Sequence, residues 1–172
     1  MGMSASAYEG TLREIIHAFK YEGRRSLADP LSGMLRDACS VILDPCDYVV
    51  PVPLHPWRRM HRGFNQARDL AKRLDRPVVD ALWRVRATPP QLALNANARH
   101  SNVRGAFVIS PLLTCGPRLC GARFPLVEDR TIVLIDDVRT TGATVDECAK
   151  VLLAAGAREV RALTVAMAEK SR

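Results

Sequence analysis

Two adjacent carboxylates, Asp136 and Asp137, close the apolar run Thr131–Ile135, and Thr140, Thr141, Gly142 and Thr144 follow at once. Ionised carboxylates accept hydrogen bonds from vicinal hydroxyls. Threonine hydroxyls, a glycine that lets backbone approach closely, and the free N–H groups of a helix start suit an anion. Acids beside an anion site would repel a bare phosphate, so the ligand needs a neutral diol next to its phosphate. A ribose 5-phosphate satisfies both halves, with hydroxyls on Asp136 and Asp137 and phosphate on residues 140–144. The bland alternative is a βα turn whose Asp and Thr residues serve only as caps. Thr144 and Glu147 match the T-x-x-E capping box in any case.

The elements around this turn read as an alternation of strands and helices. Residues 131–135, TIVLI, form a continuous apolar run, as a strand buried on both faces does. A helix is expected over 145–155, with Val145, Cys148, Ala149, Leu152 and Leu153 inward and Gly156 ending it. Residues 159–168 read as the next strand, which makes a β-α-β unit. Earlier, YVVPVP at 48–53 reads as a strand ended by its prolines. A helix is expected over 65–74, with Asn65 as its cap, and strands over 82–86 and 106–109. The first forty residues read as helical, through Leu12, Ile15, Ile16 and Phe19 and then from an Asp29 N-cap with Pro30 in the first turn. Residues 87–105 make a long polar stretch, unusual in a compact domain unless it is functional. The pattern implies an α/β fold with a mostly parallel sheet, and at 172 residues one domain.

Composition narrows the ligand and the setting. The formal charge is +7 and the pI about 9.6. Lysine occurs only at 20, 72, 150 and 170; all other basic residues are arginine, whose planar fork matches phosphate. A basic balance suits an anionic partner, either nucleic acid or a small phosphate compound. No apolar run approaches the roughly 20 residues of a membrane span. The opening MGMSASAYEG lacks the basic and apolar segments of a secretory signal, so the cytoplasm is the expected location. Five cysteines in no CxxC pair argue against a disulfide framework. Cys115 and Cys120 alone fall short of the four ligands of structural zinc. Neither a GxxxxGK[ST] nor a GxGxxG motif is present.

The stretch VLIDDVRTTGAT resembles the phosphoribosyl-pyrophosphate (PRPP) signature of type I phosphoribosyltransferases. VPVPLHPWRRMHRGFNQARDLAKRL, RVRATPPQLALNANARHSNVRGAF and the opening AYEGTLREIIHAFKYEGRRSLADPL resemble segments of the ComF family, linked to DNA uptake and competence. The resemblance spans about residues 8–168. It implies a single type I phosphoribosyltransferase-like domain over 1–172, with an N-terminal helical hood over 1–44 and a PRPP-binding core over 45–172. It also implies roles by position. Asp136 and Asp137 would hold the ribose, and Arg139, Thr140, Thr141, Gly142, Ala143 and Thr144 would surround the phosphate. Leu54 and His55 would lie in a pyrophosphate loop, with Arg58, Arg59 and Arg62 close by. Residues 87–105 would close over the substrate, with Arg86, Arg99 and Arg104 on pyrophosphate.

Each of these residues has a structural alternative. Arg58 and Arg59 also suit a solvated helix start, His55 a structural hydrogen bond, and Gln91 and Asn102 loop backbone. Trp57 and Met60 read as packing residues. Mg²⁺ is expected through PRPP, with no protein metal ligand; ComF proteins often open on a cysteine-rich zinc segment that this sequence does not contain, either because it is a shorter relative or because the N-terminus is missing, so zinc is not carried over. Purine-salvage members carry Asp where Thr140 stands, which disfavours that kind of purine acceptor and leaves a nucleobase-like acceptor unidentified. Three activities fit: a phosphoribosyltransferase, a module acting on single-stranded DNA or with competence proteins, and a PRPP sensor without turnover.

Overall fold

A computed structural model describes residues 2–86, 103–111 and 126–168, apart from the side chain of Cys39. Its centre is a four-stranded parallel sheet in the order β1-β6-β5-β2. The strands are β1 (Gly2–Ala7), β2 (Tyr48–Pro51), β5 (Thr131–Arg139) and β6 (Glu159–Met167). A second, antiparallel pair joins β3 (Leu82–Arg84) to β4 (Phe107–Ile109). The expected 82–86 strand thus forms, shorter, in a small ribbon outside the main sheet.

β5 is apolar because both of its faces are covered. Val133 and Ile135 belong to one core with Ile16, Phe19, Leu35 and Leu70. Ile132 and Leu134 belong to another with Val50, Phe107, Cys148 and Leu152. Strand side chains alternate between faces, so one strand serves two cores. The helices that supply them are α1 (Gly10–Tyr21), α2 (Ala28–Leu43) and α4 (Gln66–Ala71) on the first face, and α5 (Ala143–Ala154) on the second.

Several expectations need correction. The first forty residues are not all helical: Gly2–Ala7 form edge strand β1, paired with β6 from Gly2↔Ala162 to Ala7↔Met167. Its small residues carry little strand propensity, so pairing decides the conformation. Asp29 is not an N-cap; α2 starts at Ala28 after a 3-10 turn over Arg25–Leu27. Asp29 and Pro30 sit in its first turn, where an acid meets the helix dipole and a missing N–H costs nothing. A helix unforeseen in the sequence, α3 (Pro56–Arg62), follows β2. His55 caps it through Nδ1, which accepts the Trp57 N–H at 3.3 Å, and Gly63 ends it at φ +73°.

Candidate functional site

The site forms where β5 hands over to α5. Asp136 and Asp137 end the buried part of β5, and the chain turns through Thr140–Gly142 before α5 begins at Ala143. The alternation of β5 sends the two acids to different layers. Asp137, in phase with Val133 and Ile135, faces the α1 layer and meets Lys20, its Oδ1 lying 2.8 Å from Nζ. Asp137 Oδ1 also accepts the Val138 N–H at 2.6 Å. Asp136, in phase with Leu134, faces the layer holding Arg84 and Cys148. Its Oδ1 accepts the Asp137 N–H at 2.9 Å. Among the described residues it has no salt bridge.

The electrostatics follow from this placement. Burial pushes the Asp136 carboxyl up to about 7, and the neighbouring Asp137 charge adds to the rise, against Lys20 and Arg84. Burial lowers the Lys20 ammonium, yet the charge and hydrogen bond of Asp137 outweigh it and leave Lys20 raised. Burial and the nearby Arg58 lower Arg84, which lies over the Phe107 ring with its guanidinium carbon 5.2 Å from the centroid. Cys148, buried beside Asp136, is held well above the usual thiol range by desolvation.

The turn itself is built around Arg139. Gly142 has φ +82°, a conformation L side chains rarely adopt, and a Cβ there would lie 3.1 Å from Arg139 Nε. The same guanidinium reaches Gly2 on β1, where an added Cβ would lie 2.9 Å from NH1. Thr141 Oγ1 accepts the Ala143 N–H at 3.4 Å, and Thr140 is exposed. The expected capping box is absent, because the N-cap is Gly142 and Thr144 already lies inside the helix. Glu147 instead accepts the Gly105 N–H at 2.7 Å, binding the end of the 87–105 stretch to α5.

β2 delivers its own loop to the same edge. Pro51 pairs with Ile135, and the Val52 N–H bonds the Ile135 carbonyl at 2.9 Å. Leu54 and His55 therefore leave the sheet beside Asp136. Arg62 lies over the Tyr21 ring, 4.9 Å from its centroid, and donates to Gln66 Oε1 and Tyr21 OH at 3.3 Å. Asn65 caps α4, Oδ1 accepting the Ala67 N–H at 3.1 Å. Trp57 and Met60 are not packing residues: they are 63% and 81% exposed, since α3 is short and buries none of its residues. Arg86 and Arg104 are exposed beside the β3–β4 ribbon, just outside its strands, Arg86 NH1 donating to the Arg104 carbonyl at 3.1 Å. Arg99, Gln91, Asn102, Cys115 and Cys120 lie outside the described residues.

Sequence reasoning missed Lys20 and Arg84. Both carry a faint signal. Lys20 falls four residues after Ile16 and next to Phe19, on the inward stripe of α1. Arg84 occupies an inward position of a short strand between apolar neighbours. Among the described residues no three His, Cys, Asp or Glu side chains gather as a metal site, and no helix is long and apolar enough to cross a membrane.

A family model described as "Phosphoribosyl transferase domain" matches residues 60–172. Over 171 residues the chain is 34% identical to the "DNA utilization protein YhgH" of Escherichia coli (strain K12), a match covering 92% of this chain and 68% of that protein. It is 32% identical over 171 residues to the "Competence protein F" of Haemophilus influenzae, covering 94% and 70%. Among solved structures, the glutamine phosphoribosylpyrophosphate amidotransferase from B. subtilis superposes with a TM-score of 0.50 at 21% identity, over 82% of this chain and 26% of that one. That last likeness is one of fold.

Proposed function

Because this chain belongs to the phosphoribosyl transferase domain family, with the type I phosphoribosyltransferase-like α/β fold and relatives named for competence and DNA utilization, we propose that it binds PRPP and transfers the phosphoribosyl group to a nitrogenous, nucleobase-like acceptor. One observation carries the reading: an acid pair at the carboxyl end of a two-sided strand, followed by a left-handed glycine turn into a helix start. Ligands bind open parallel sheets at that end. On this reading the ribose hydroxyls donate to Asp136 and Asp137. The 5-phosphate sits on the turn formed by Arg139, Thr140, Thr141, Gly142, Ala143 and Thr144. Leu54 and His55 line the pyrophosphate side, where His55 keeps Nε2 after committing Nδ1 to its cap. Arg62 stands behind them.

The chemistry is displacement at the anomeric carbon. The C1–O bond breaks, pyrophosphate leaves with the electron pair, the acceptor nitrogen bonds C1 and then sheds its proton. The transition state has oxocarbenium character, so the protein orients and neutralises rather than attacks. Arg86, Arg99 and Arg104 are assigned to the leaving pyrophosphate. The donor set around the turn, with one oxygen of Asp137 taken by Lys20, suits an Mg²⁺ carried on PRPP oxygens and water rather than a protein cage. Bound there, it would neutralise the leaving group. We place the reaction in the cytoplasm, in a single domain over 1–172.

Isothermal titration with PRPP and Mg²⁺, followed by a pyrophosphate-release assay over a panel of bases, tests this. Binding with release supports transfer; binding without release from any base reduces the protein to a PRPP sensor; no binding overturns the assignment. A second reading, contact with single-stranded DNA, draws on the exposed Trp57, the Arg62–Tyr21 stack and the arginines of α3. Stacking on exposed aromatics beside cations is how such strands are held.

A further inference from the structure

The reading above gives Lys20 no role beyond occupying one oxygen of Asp137, yet the pair joins the N-terminal helix to the centre of the site. Lys20 comes from the last turn of α1, which is anchored in the core by Ile16 and Phe19. Its side chain is 16% exposed and that of Asp137 12%. A half-sequestered ammonium loses water that only a good partner replaces. Two further facts bear on its role. Among the described residues both side-chain contacts of Asp137 fall on Oδ1, the ammonium at 2.8 Å and the Val138 N–H at 2.6 Å. Neither contact uses Oδ2. Among the described residues, the other charged or titratable groups facing the acid pair are Tyr8 beside Lys20, Arg84 on β3 and Cys148 on α5. Of these only Lys20 lies within ion-pair distance of either acid.

We propose that Lys20 is a positioning residue of the sugar site: its ammonium fixes the Asp137 carboxylate by one oxygen and so presents the second oxygen to a ribose hydroxyl. Lys20 does not touch the reacting atoms. It acts through Asp137, and the inference rests on the proposed binding of PRPP at this turn. The ammonium also lowers the proton affinity of Asp136, so without it Asp136 would hold its proton to a higher pH. A diol would then meet a site able to accept one hydrogen bond fewer.

The test is isothermal titration of PRPP with Mg²⁺, from about pH 6 to about pH 8, on the wild type and on K20M, K20R, D137N and K20M/D137N. Titration of PRPP itself is common to all five and cancels in the differences. K20M is expected to bind roughly tenfold more weakly or worse at neutral pH. Its binding midpoint should move up by about one pH unit. K20R, which keeps the charge, should stay within about threefold of the wild type. The double variant should bind no worse than D137N alone, because Lys20 acts only through Asp137. Should K20M be too unstable to assay, D137N against the charge-balanced double variant keeps the comparison. Wild-type binding with an unaltered K20M affinity and pH profile overturns the proposal alone, as does an additive loss in the double variant. Absence of wild-type binding overturns the PRPP reading and this inference with it.

Discussion

The guanidinium of Arg139 lies across the α-carbon of Gly142, its Nε 3.1 Å from where a β-carbon would sit. Arginine and glycine therefore define the turn jointly: the glycine takes φ +82° and the arginine fills the space its missing side chain leaves.

Gly142→Ala should accordingly fail on two counts, backbone strain and collision with Arg139. A positive-φ glycine replaced by alanine costs about 1 kcal/mol or more. The displaced turn should weaken PRPP binding by at least about tenfold, and titration calorimetry beside a thermal melt measures both. Undiminished affinity in the folded variant would remove the turn from the site.

Asp137→Ala removes the proposed ribose acceptor and strands Lys20. The expected result is loss of measurable PRPP binding together with a stability loss of about 1–3 kcal/mol, because a shielded cation loses its partner. Asp137→Asn should be milder in both, with PRPP binding weakened but still measurable. Urea unfolding and titration separate the two effects.

Asp136 makes stability pH-dependent. Its native carboxyl is raised to about 7 from an ordinary 3.8, so between those values the folded state binds more protons than the unfolded one. Stability contributed by this group therefore falls as pH rises from about 4 to about 7, and the penalty is complete above that. Asp136→Asn should raise the melting temperature by about 2–4 °C at pH 8, for about 1 kcal/mol relieved. It should leave it nearly unchanged at pH 4. Equal shifts at both pH values would contradict the burial of an ionised Asp136.

Arg99→Ala and Arg104→Ala should lower pyrophosphate release by roughly tenfold or more while PRPP affinity changes little, since their partner charge develops in the transition state. Arg104 gives Arg86 only its carbonyl, so the Arg86–Arg104 bond survives that substitution. A matched loss of affinity and rate would make them simple binding residues.

DNA binding has its own signature. A gel-shift affinity that falls steeply with salt, and falls further in Arg62→Ala or Trp57→Ala, supports the strand-binding reading. An affinity indifferent to salt sinks it.

What could be read from the residues alone depended on how local the cause was. β5, its acid pair and α5 were legible because burial on two faces, a glycine turn and an apolar helix stripe are written in consecutive residues. α3 had its signals, Pro56 at the start and Gly63 at the end, but no apolar stripe, and periodicity passes over such helices. β1 had no signal of its own, since Gly, Ser and Ala become a strand only by pairing with β6. The Lys20–Asp137 pair was out of reach for the same reason: nothing near Lys20 in the chain names its partner. The capping box failed because Glu147 found a backbone donor across space at Gly105 instead of its own helix start.

β5 has a hydrogen-bonded neighbour on each side and a hydrophobic layer above and below. In deuterated solvent the amides of Ile132–Ile135 would be among the last to exchange, opening only when the whole domain does. On the proposed reading, a sugar docking against Asp136 and Asp137 would meet groups whose immobility is already secured by folding, and little ordering would remain to be done at that end of the ligand.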